Sequence, residues 1–441
     1  MNLSATQTLM PTRKDLSFQE TNCGYSIEDA KLEADRCLQC KHQPCVTACP
    51  IHVPIPQFIQ KIKEDDLETA YEIITSRSNF PDFCSRVCHV QHQCQGACVR
   101  AIKGEAVAIN HLERFVADHH SKTPLIKQND FKQRVAVVGS GPSGLACASD
   151  LAQIGYQVDV YEKEAYAGGI VSYGVPEYRL PHRWVYLEIE KIKALGVRFF
   201  YNSILGNNLH LNVLKENYEA IYIAIGEEKM TPLEIEGTHL SHVYSSFDYL
   251  KKVFENRIED LINFKKVVVI GGGNTAMDCA RCAKRFGAEV TVAYRRLYED
   301  MPASASEIEE ANKEGVKFEF LVSPVKITED SIILQKRAVI STDEKGRNKT
   351  VEIPNTNFYL EADAIILALG SQPDLSLRHK LGIDTDHKGR VLINEDYQTS
   401  LEKIYSGGDM VFGADTVVRA IDAGKKAAHK IHQKLLLSNN E

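Results

Sequence analysis

Two short glycine loops, each set between a β-branched run and a helical run, constrain the fold of this chain more than any other feature. Gly139-Ser140-Gly141-Pro142-Ser143-Gly144 follows the strand-like Arg134–Gly139 and opens the helical segment Ser143–Ile154. The next strand, Tyr156–Glu162, ends on an acid 23 residues after the first glycine. In such a unit the first glycine makes the tight turn and the second lets backbone approach a pyrophosphate. The third lets helix and strand pack closely, and the helix N-terminus offers unpaired N–H groups. Gly139, Gly141 and Gly144 are therefore candidate dinucleotide contacts, and Glu162 is placed to accept hydrogen bonds from a ribose.

About 130 residues later the pattern returns as Gly271-Gly272-Gly273-Asn274-Thr275, between the strands Lys266–Gly271 and Ala288–Tyr294. The same offset of 23 residues now falls on Tyr294, followed by Arg295 and Arg296. A cation at this place meets a 2′-phosphate, where an acid would meet a free 2′-hydroxyl. NADPH is expected over NADH, with Gly271, Gly273, Asn274, Thr275, Arg295 and Arg296 as its site. Two dinucleotide sites in one chain make chemical sense if one holds a flavin and the other delivers hydride to it.

Strands alternating with helical segments predict parallel sheets with crossover helices. The run Glu361–Gly370 repeats the strand-to-glycine pattern of Ala220–Gly226, so the second unit is expected to be inserted into the first. The expected organisation is α/β. A helical domain spans residues 1–120, a linker 121–133, the first part of one Rossmann-like domain 134–245, the inserted Rossmann-like domain 246–372, and the remainder of the first 373–441. Within the N-terminal part, Ser26–Arg36, Ile55–Thr75 and Ala106–His119 carry helical spacing.

Nine of twelve cysteines lie within residues 23–98. They fall into C-x2-C-x4-C-x3-C-P from Cys37 through Cys40, Cys45 and Cys49, and C-x3-C-x5-C-x3-C from Cys84 through Cys88, Cys94 and Cys98. Close spacing lets one loop wrap several corners of a cubane, and the fourth cysteine followed by proline resembles the bacterial ferredoxin run, although the middle gap here is four residues rather than two. The spacing predicts two [4Fe–4S] clusters; two structural zinc sites of four thiolates each are the alternative. Disulfides are disfavoured, because the N-terminus lacks the apolar stretch of a secretory signal and the chain is expected in the cytoplasm. A net charge of −7 argues against a nucleic-acid partner, and no window is apolar enough to predict a membrane span.

Ala167-Gly168-Gly169, the run to Gly226, the run to Gly370 and Tyr405-Ser-Gly-Gly-Asp409 together resemble the two-dinucleotide-domain flavoproteins. That resemblance implies FAD in the first unit. Gly408 and Asp409 would meet its ribityl or pyrophosphate, and the helix Thr416–Ala423, starting with Thr416 and Val417, would point its N-terminus at the flavin pyrimidine. With RCLQCKHQPCVTACP (Arg36–Pro50), GGIVSYGVPEYRLP (Gly168–Pro181), GGGNTAMD (Gly271–Asp278) and GGDMVFGADTVVRAI (Gly407–Ile421), the chain is similar across almost its whole length to the small (β) subunit family of NADPH-dependent glutamate synthase. Similar modules occur in dihydropyrimidine dehydrogenase and in electron-bifurcating NADPH:ferredoxin oxidoreductases.

The family implies that electrons pass from NADPH through FAD and two clusters to an electron-accepting large subunit or another acceptor protein; self-association is left open. It also implies interleaved ligands. Cys37, Cys40, Cys45 and Cys98 would hold one cluster, and Cys49, Cys88, Cys94 and the non-cysteine Glu113 the other, with Cys84 spare. Gly169, Arg179, Gly226 and Gly370 join the expected cofactor contacts. His89 departs from the proline usual after that cysteine, which leaves the second loop less defined.

Overall fold

The computed structural model describes residues 7–8, 10–13, 15–120, 126–227, 229–344 and 346–438. The first part is helical, with Ile27–Asp35, Pro44–Ala48, Ile55–Lys63, Leu67–Thr75, Pro81–Val87 and Ile109–His119. Ser26 caps the first of these by accepting the Asp29 N–H. The continuous helix expected over Ile55–Thr75 is instead two. Asp65 turns the chain at φ +58°, and the Asp66 carboxylate accepts the Thr69 N–H at 3.2 Å to start the second. The break lets Phe58, Ile59 and Ile62 on one helix and Ile74 on the other bury themselves in one core. Each such side chain contributes about 1.5–3 kcal/mol relative to exposure.

Residues 121–125 of the expected linker lie outside the described residues. The rest of it runs irregularly past the C-terminal end of the helix Pro142–Ile154, where the Gln128 N–H donates to Gln153 O and the Phe131 N–H to Gly155 O.

Two five-stranded parallel sheets follow. The first orders its strands Ile404–Ser406, Ala220–Ile223, Arg134–Val138, Gln157–Tyr161 and Arg198–Phe200. The second orders them Val243–Ser245, Ala364–Leu367, Lys266–Ile270, Glu289–Tyr294 and Lys317–Phe320. Their central strands are buried on both faces, as crossover helices require. The chain leaves the first sheet after Ile223 and rejoins it at Ile404, so the second Rossmann-like unit is inserted into the first. A two-stranded antiparallel ribbon, Lys229–Met230 with Ser371–Gln372, pairs the outgoing and returning segments.

Val243–Ser245 pairs with Ile365–Leu367 in the second sheet, although the expected boundary at 245/246 left it with the first. The run is too short and mixed to show its sheet by pattern. An antiparallel sheet of Val322–Ile327, Ser331–Thr342, Asn348–Glu352 and Phe358–Glu361 was likewise not expected. It lies between the last two strands of the inserted unit in sequence. Among the described residues no helix is long and apolar enough to cross a membrane.

Candidate functional site

The strand Arg134–Val138 delivers the first glycine loop to the carboxyl edge of its sheet. Gly139 sits at φ +100°, and a Cβ there would come within 2.4 Å of the Ala224 carbonyl oxygen. At Gly144 a Cβ would meet Gly139 O at 1.9 Å, so loop and helix close on each other only with glycine at both places. Gly141 and its counterpart Gly273 are different: a Cβ would meet nothing within 4 Å, and the backbone there faces open space. Glu162 is buried at the end of the neighbouring strand. Its Oε2 accepts the Ser140 N–H at 2.9 Å and the Ser140 hydroxyl, and its Oε1 accepts the Glu164 N–H at 2.9 Å. Ser140 thereby locks the acid onto the glycine loop.

Both loops open into one cavity of about 1070 Å³. Its wall includes Gly139, Gly141, Glu162, Gly169, Gly226, Gly408 and Asp409 from the first unit, and Gly271, Gly273, Thr275, Arg295, Arg296 and Gly370 toward the inserted one. The Asp409 carboxyl is pushed up to about 7, first by burial and then by the charges of Glu227 and Asp415. A dinucleotide fits each cradle: the glycine backbones leave room for a pyrophosphate, and Glu162 and Asp409 present carboxylates to polar groups beside it.

Five expected contacts lie off this wall. Gly144 serves helix packing, and the Asn274 side chain accepts the Ser304 N–H at 2.8 Å. Thr416 and Val417 start the helix Val417–Ser438, while Ala414, Asp415 and Ala420 around them reach the cavity. Arg179 was expected at a cofactor, but its guanidinium donates to both Asp278 oxygens at 2.8 and 2.7 Å and lies 3.2 Å from Glu307. It ties the two dinucleotide units together, because burial beside two carboxylates holds the side chain there. Arg337 and Arg347 do line the cavity and were missed, since lone arginines in an antiparallel hairpin carry no motif.

Two buried arginine networks gather the cysteines. Arg36, just before Cys37, pairs with Glu33 at 2.5 Å and donates to Ala106 O and Glu105 O. Arg100, two residues after Cys98, donates to Arg36 O. Cys37, Cys40, Cys45 and Cys98 consequently line one pocket, with Ile55, Ile59 and Val107. In the second network Arg86, two residues before Cys88, and Arg114, next to Glu113, both bind Glu20 and Asp118. That clasp sets Cys88 against the helix bearing Glu113. Burial pushes the Cys49 thiol up to about 11 and the Cys94 thiol well up, and each feels the charge of Glu113 and of Cys88. Cys84 faces Cys88 and raises its thiol further.

Glu113, pushed up to about 8 by burial, has no hydrogen-bond or ion-pair partner among the described residues. Among those residues no three His, Cys, Asp or Glu side chains converge as a single-ion site would require. A zinc ion needs four ligands within about 2.0–2.3 Å. A cubane instead spreads its iron corners, and four thiols around one pocket, with three thiols and an unpartnered carboxylate in a second group, fit that donor set. Iron binding has to displace the thiol protons.

The second cysteine loop also meets the head of the helix beside the nucleotide cavity. Burial, then His92 and Arg179, lower the His89 imidazole, and Asp415 on the cavity wall opposes them. Gln93 donates its side-chain amide to the Thr416 hydroxyl at 3.3 Å.

The fold and the shared cavity define a two-dinucleotide oxidoreductase module joined to a cysteine-rich helical unit. The pyridine nucleotide-disulphide oxidoreductase family matches residues 107–424, and the dihydropyrimidine dehydrogenase domain II, 4Fe-4S cluster, family matches residues 13–125. The glutamate synthase [NADPH] small chain of Escherichia coli (strain K12) is 32% identical, with 95% of this chain and 94% of that one covered. The chain belongs to the glutamate synthase small-chain family. It is also 34% identical to the NADPH-Fe(3+) oxidoreductase subunit beta of Geobacter sulfurreducens, with 89% of this chain covered, but spans only 63% of that protein's length. Among solved structures, Mycobacterium tuberculosis FprA in complex with NADPH has a TM-score of 0.59 at 19% identity, over 70% of this chain and 86% of that one. At that identity the likeness carries the fold alone.

Proposed function

We propose that this chain is the electron-input subunit of a glutamate synthase. It takes electrons from NADPH and delivers them to a large subunit that reduces 2-iminoglutarate to glutamate. FAD, when bound, would supply the chemistry that joins a two-electron hydride donor to one-electron carriers such as iron–sulfur clusters. The observation that carries the reading is the single cavity shared by both glycine loops, with Gln93 of the cysteine loop bonded to Thr416 at its edge.

The chain's own residues bind and orient. Gly139, Gly141, Glu162, Gly408 and Asp409 hold FAD; Gly271, Gly273, Thr275, Arg295 and Arg296 hold NADPH. The Arg179–Asp278 pair fixes the two units against each other, so that donor and acceptor are brought together without a diffusive search. Cys49, Cys88, Cys94 and Glu113 would hold the cluster nearer the cavity, because Gln93, beside Cys94, bonds to Thr416. Cys37, Cys40, Cys45 and Cys98 hold the other; Cys37, Cys45 and Cys98 are less buried than Cys49 and Cys94, which suits an exit to a partner. No general acid or base is needed for this transfer.

A second reading keeps the input role and changes the acceptor, since a similar protein is named as a subunit of an NADPH-Fe(3+) oxidoreductase. Copurification from native cells tests the choice. Recovery of a glutamine-dependent glutamate-forming partner supports the first reading. Recovery of a different reductase, with no glutamate formation on mixing, overturns it.

A further inference from the structure

Toward the inserted unit the cavity is also lined by an element outside the Rossmann-like pattern. The antiparallel strands Ser331–Thr342 and Asn348–Glu352 bring Arg337 and Arg347 onto the same wall as Arg295 and Arg296. The hairpin is also bonded to the loop that carries the motif arginines. The Thr350 hydroxyl donates to Arg295 O at 3.1 Å, and Arg296 Nε donates to Asn348 O at 2.9 Å. Asn348 is held in turn by Asp300, through its N–H and its side-chain amide, each at 2.9 Å.

The hairpin arginines are not equivalent. Arg337 is already satisfied: Nε donates to the Thr350 hydroxyl, one terminal nitrogen to Ser323 and Glu352, and the other to Thr350 O. It braces the hairpin and has little left for a ligand. Arg347 differs. Its backbone is fixed by paired bonds with Asp343, the Asp343 N–H donating to Arg347 O at 2.8 Å and the Asp343 carboxylate accepting the Arg347 N–H at 2.9 Å. Arg347 lines the cavity, and its guanidinium has no hydrogen-bond or ion-pair partner among the described residues; the same holds for Arg295.

We propose that Arg347 is a specificity-determining residue that grips the adenosine 2′-phosphate together with Arg295 and Arg296, and that Thr350 is a positioning residue holding the Arg295 backbone. A phosphate dianion presents three acceptor oxygens, more than one guanidinium fork can cover, and arginine matches that geometry best. The hairpin supplies the additional fork from outside the motif. This inference rests on the NADPH reading of the second cradle and deepens it.

The test is calorimetric titration of 2′,5′-ADP and of 5′-AMP into the FAD-loaded protein, which reads the phosphate contact without any turnover. Arg347→Ala is expected to weaken 2′,5′-ADP roughly tenfold to a hundredfold and to leave 5′-AMP unchanged. Arg347→Lys should recover part of the loss, because charge survives without the fork. Thr350→Val should weaken 2′,5′-ADP by a smaller factor at unchanged flavin content. Unchanged 2′,5′-ADP affinity in Arg347→Ala, or equal losses for both nucleotides, would overturn the assignment while a wild-type preference for 2′,5′-ADP leaves the NADPH reading standing. No preference in the wild-type protein would overturn both.

Discussion

Gln93, one residue before Cys94, donates its side-chain amide to the hydroxyl of Thr416, 323 positions further along the chain at the head of the helix beside the nucleotide cavity. It is one of several bonds between the cysteine-rich unit and the first dinucleotide unit, with Asn79–Asp150 and Lys191–Asp82 among the others, and we propose that electrons cross beside it. A neutral hydrogen bond of this kind is worth about 0.5–1.5 kcal/mol.

Thr416→Val should therefore slow reduction of an external one-electron acceptor by up to about a factor of ten. Bleaching of the flavin by NADPH should keep its wild-type rate, because the nicotinamide cradle is untouched. Stopped-flow traces of both steps check this. Equal slowing of both steps would place the bond outside the transfer path.

Glu113 is the one non-cysteine in the proposed second donor group. Replacing it with Ala should remove one of two clusters, lowering iron from about eight to about four per chain. Cys37→Ser should remove the other and leave the Glu113 group filled. Iron analysis with visible spectroscopy reads both variants. Iron unchanged in Glu113→Ala would show that the carboxylate is not a ligand.

Arg295 and Arg296 line the cavity, and we propose that they carry the nucleotide preference. A charge-assisted contact to phosphate is worth roughly 1.5–3 kcal/mol, so the Arg295→Ala, Arg296→Ala double variant should lose roughly tenfold to several hundredfold in NADPH affinity. NADH lacks the 2′-phosphate, and its binding should hardly change. Equal losses for the two nucleotides would make the pair structural.

Asp159 provides a pH-dependent test of the first sheet. Burial raises its carboxyl, but hydrogen bonds from Arg198, Tyr218 and Arg134 outweigh that, and the net shift is downward. A depressed carboxyl contributes stability above its unfolded value, near 3.9, and loses it as pH falls through the folded value. Thermal unfolding between about pH 3 and 7 should show the wild type losing its advantage over Asp159→Asn only at the acid end. A constant difference at every pH would contradict this linkage.

Much of the architecture was legible in the residues because glycine and cysteine report backbone needs directly. Gly139, Gly144 and Gly271 mark places where no side chain fits, and that requirement survives any change in surroundings. The cysteines were legible as two sets by spacing, whereas their interleaving came only with the family resemblance. The arginine networks explain how Cys98 reaches Cys37, yet Arg36, Arg86, Arg100 and Arg114 look like ordinary surface charges in the sequence. The bridging pair of Arg179 was not legible for the related reason that its partner Asp278 is 99 positions away. The break after Lys63 was hidden because apolar spacing resumes in phase beyond Asp65, and the Asp343 and Gly346 of the hairpin carrying Arg347 signal a turn but not a binding wall.

The central claim, two dinucleotide cradles and two clusters in one chain, is tested most directly by cofactor analysis of anaerobically purified protein. Flavin is measured by extraction, and iron and zinc by elemental analysis. The account predicts about one FAD and about eight irons per chain, with zinc far below one. About two zincs with little iron, or no flavin in protein that still binds NADPH, would contradict it.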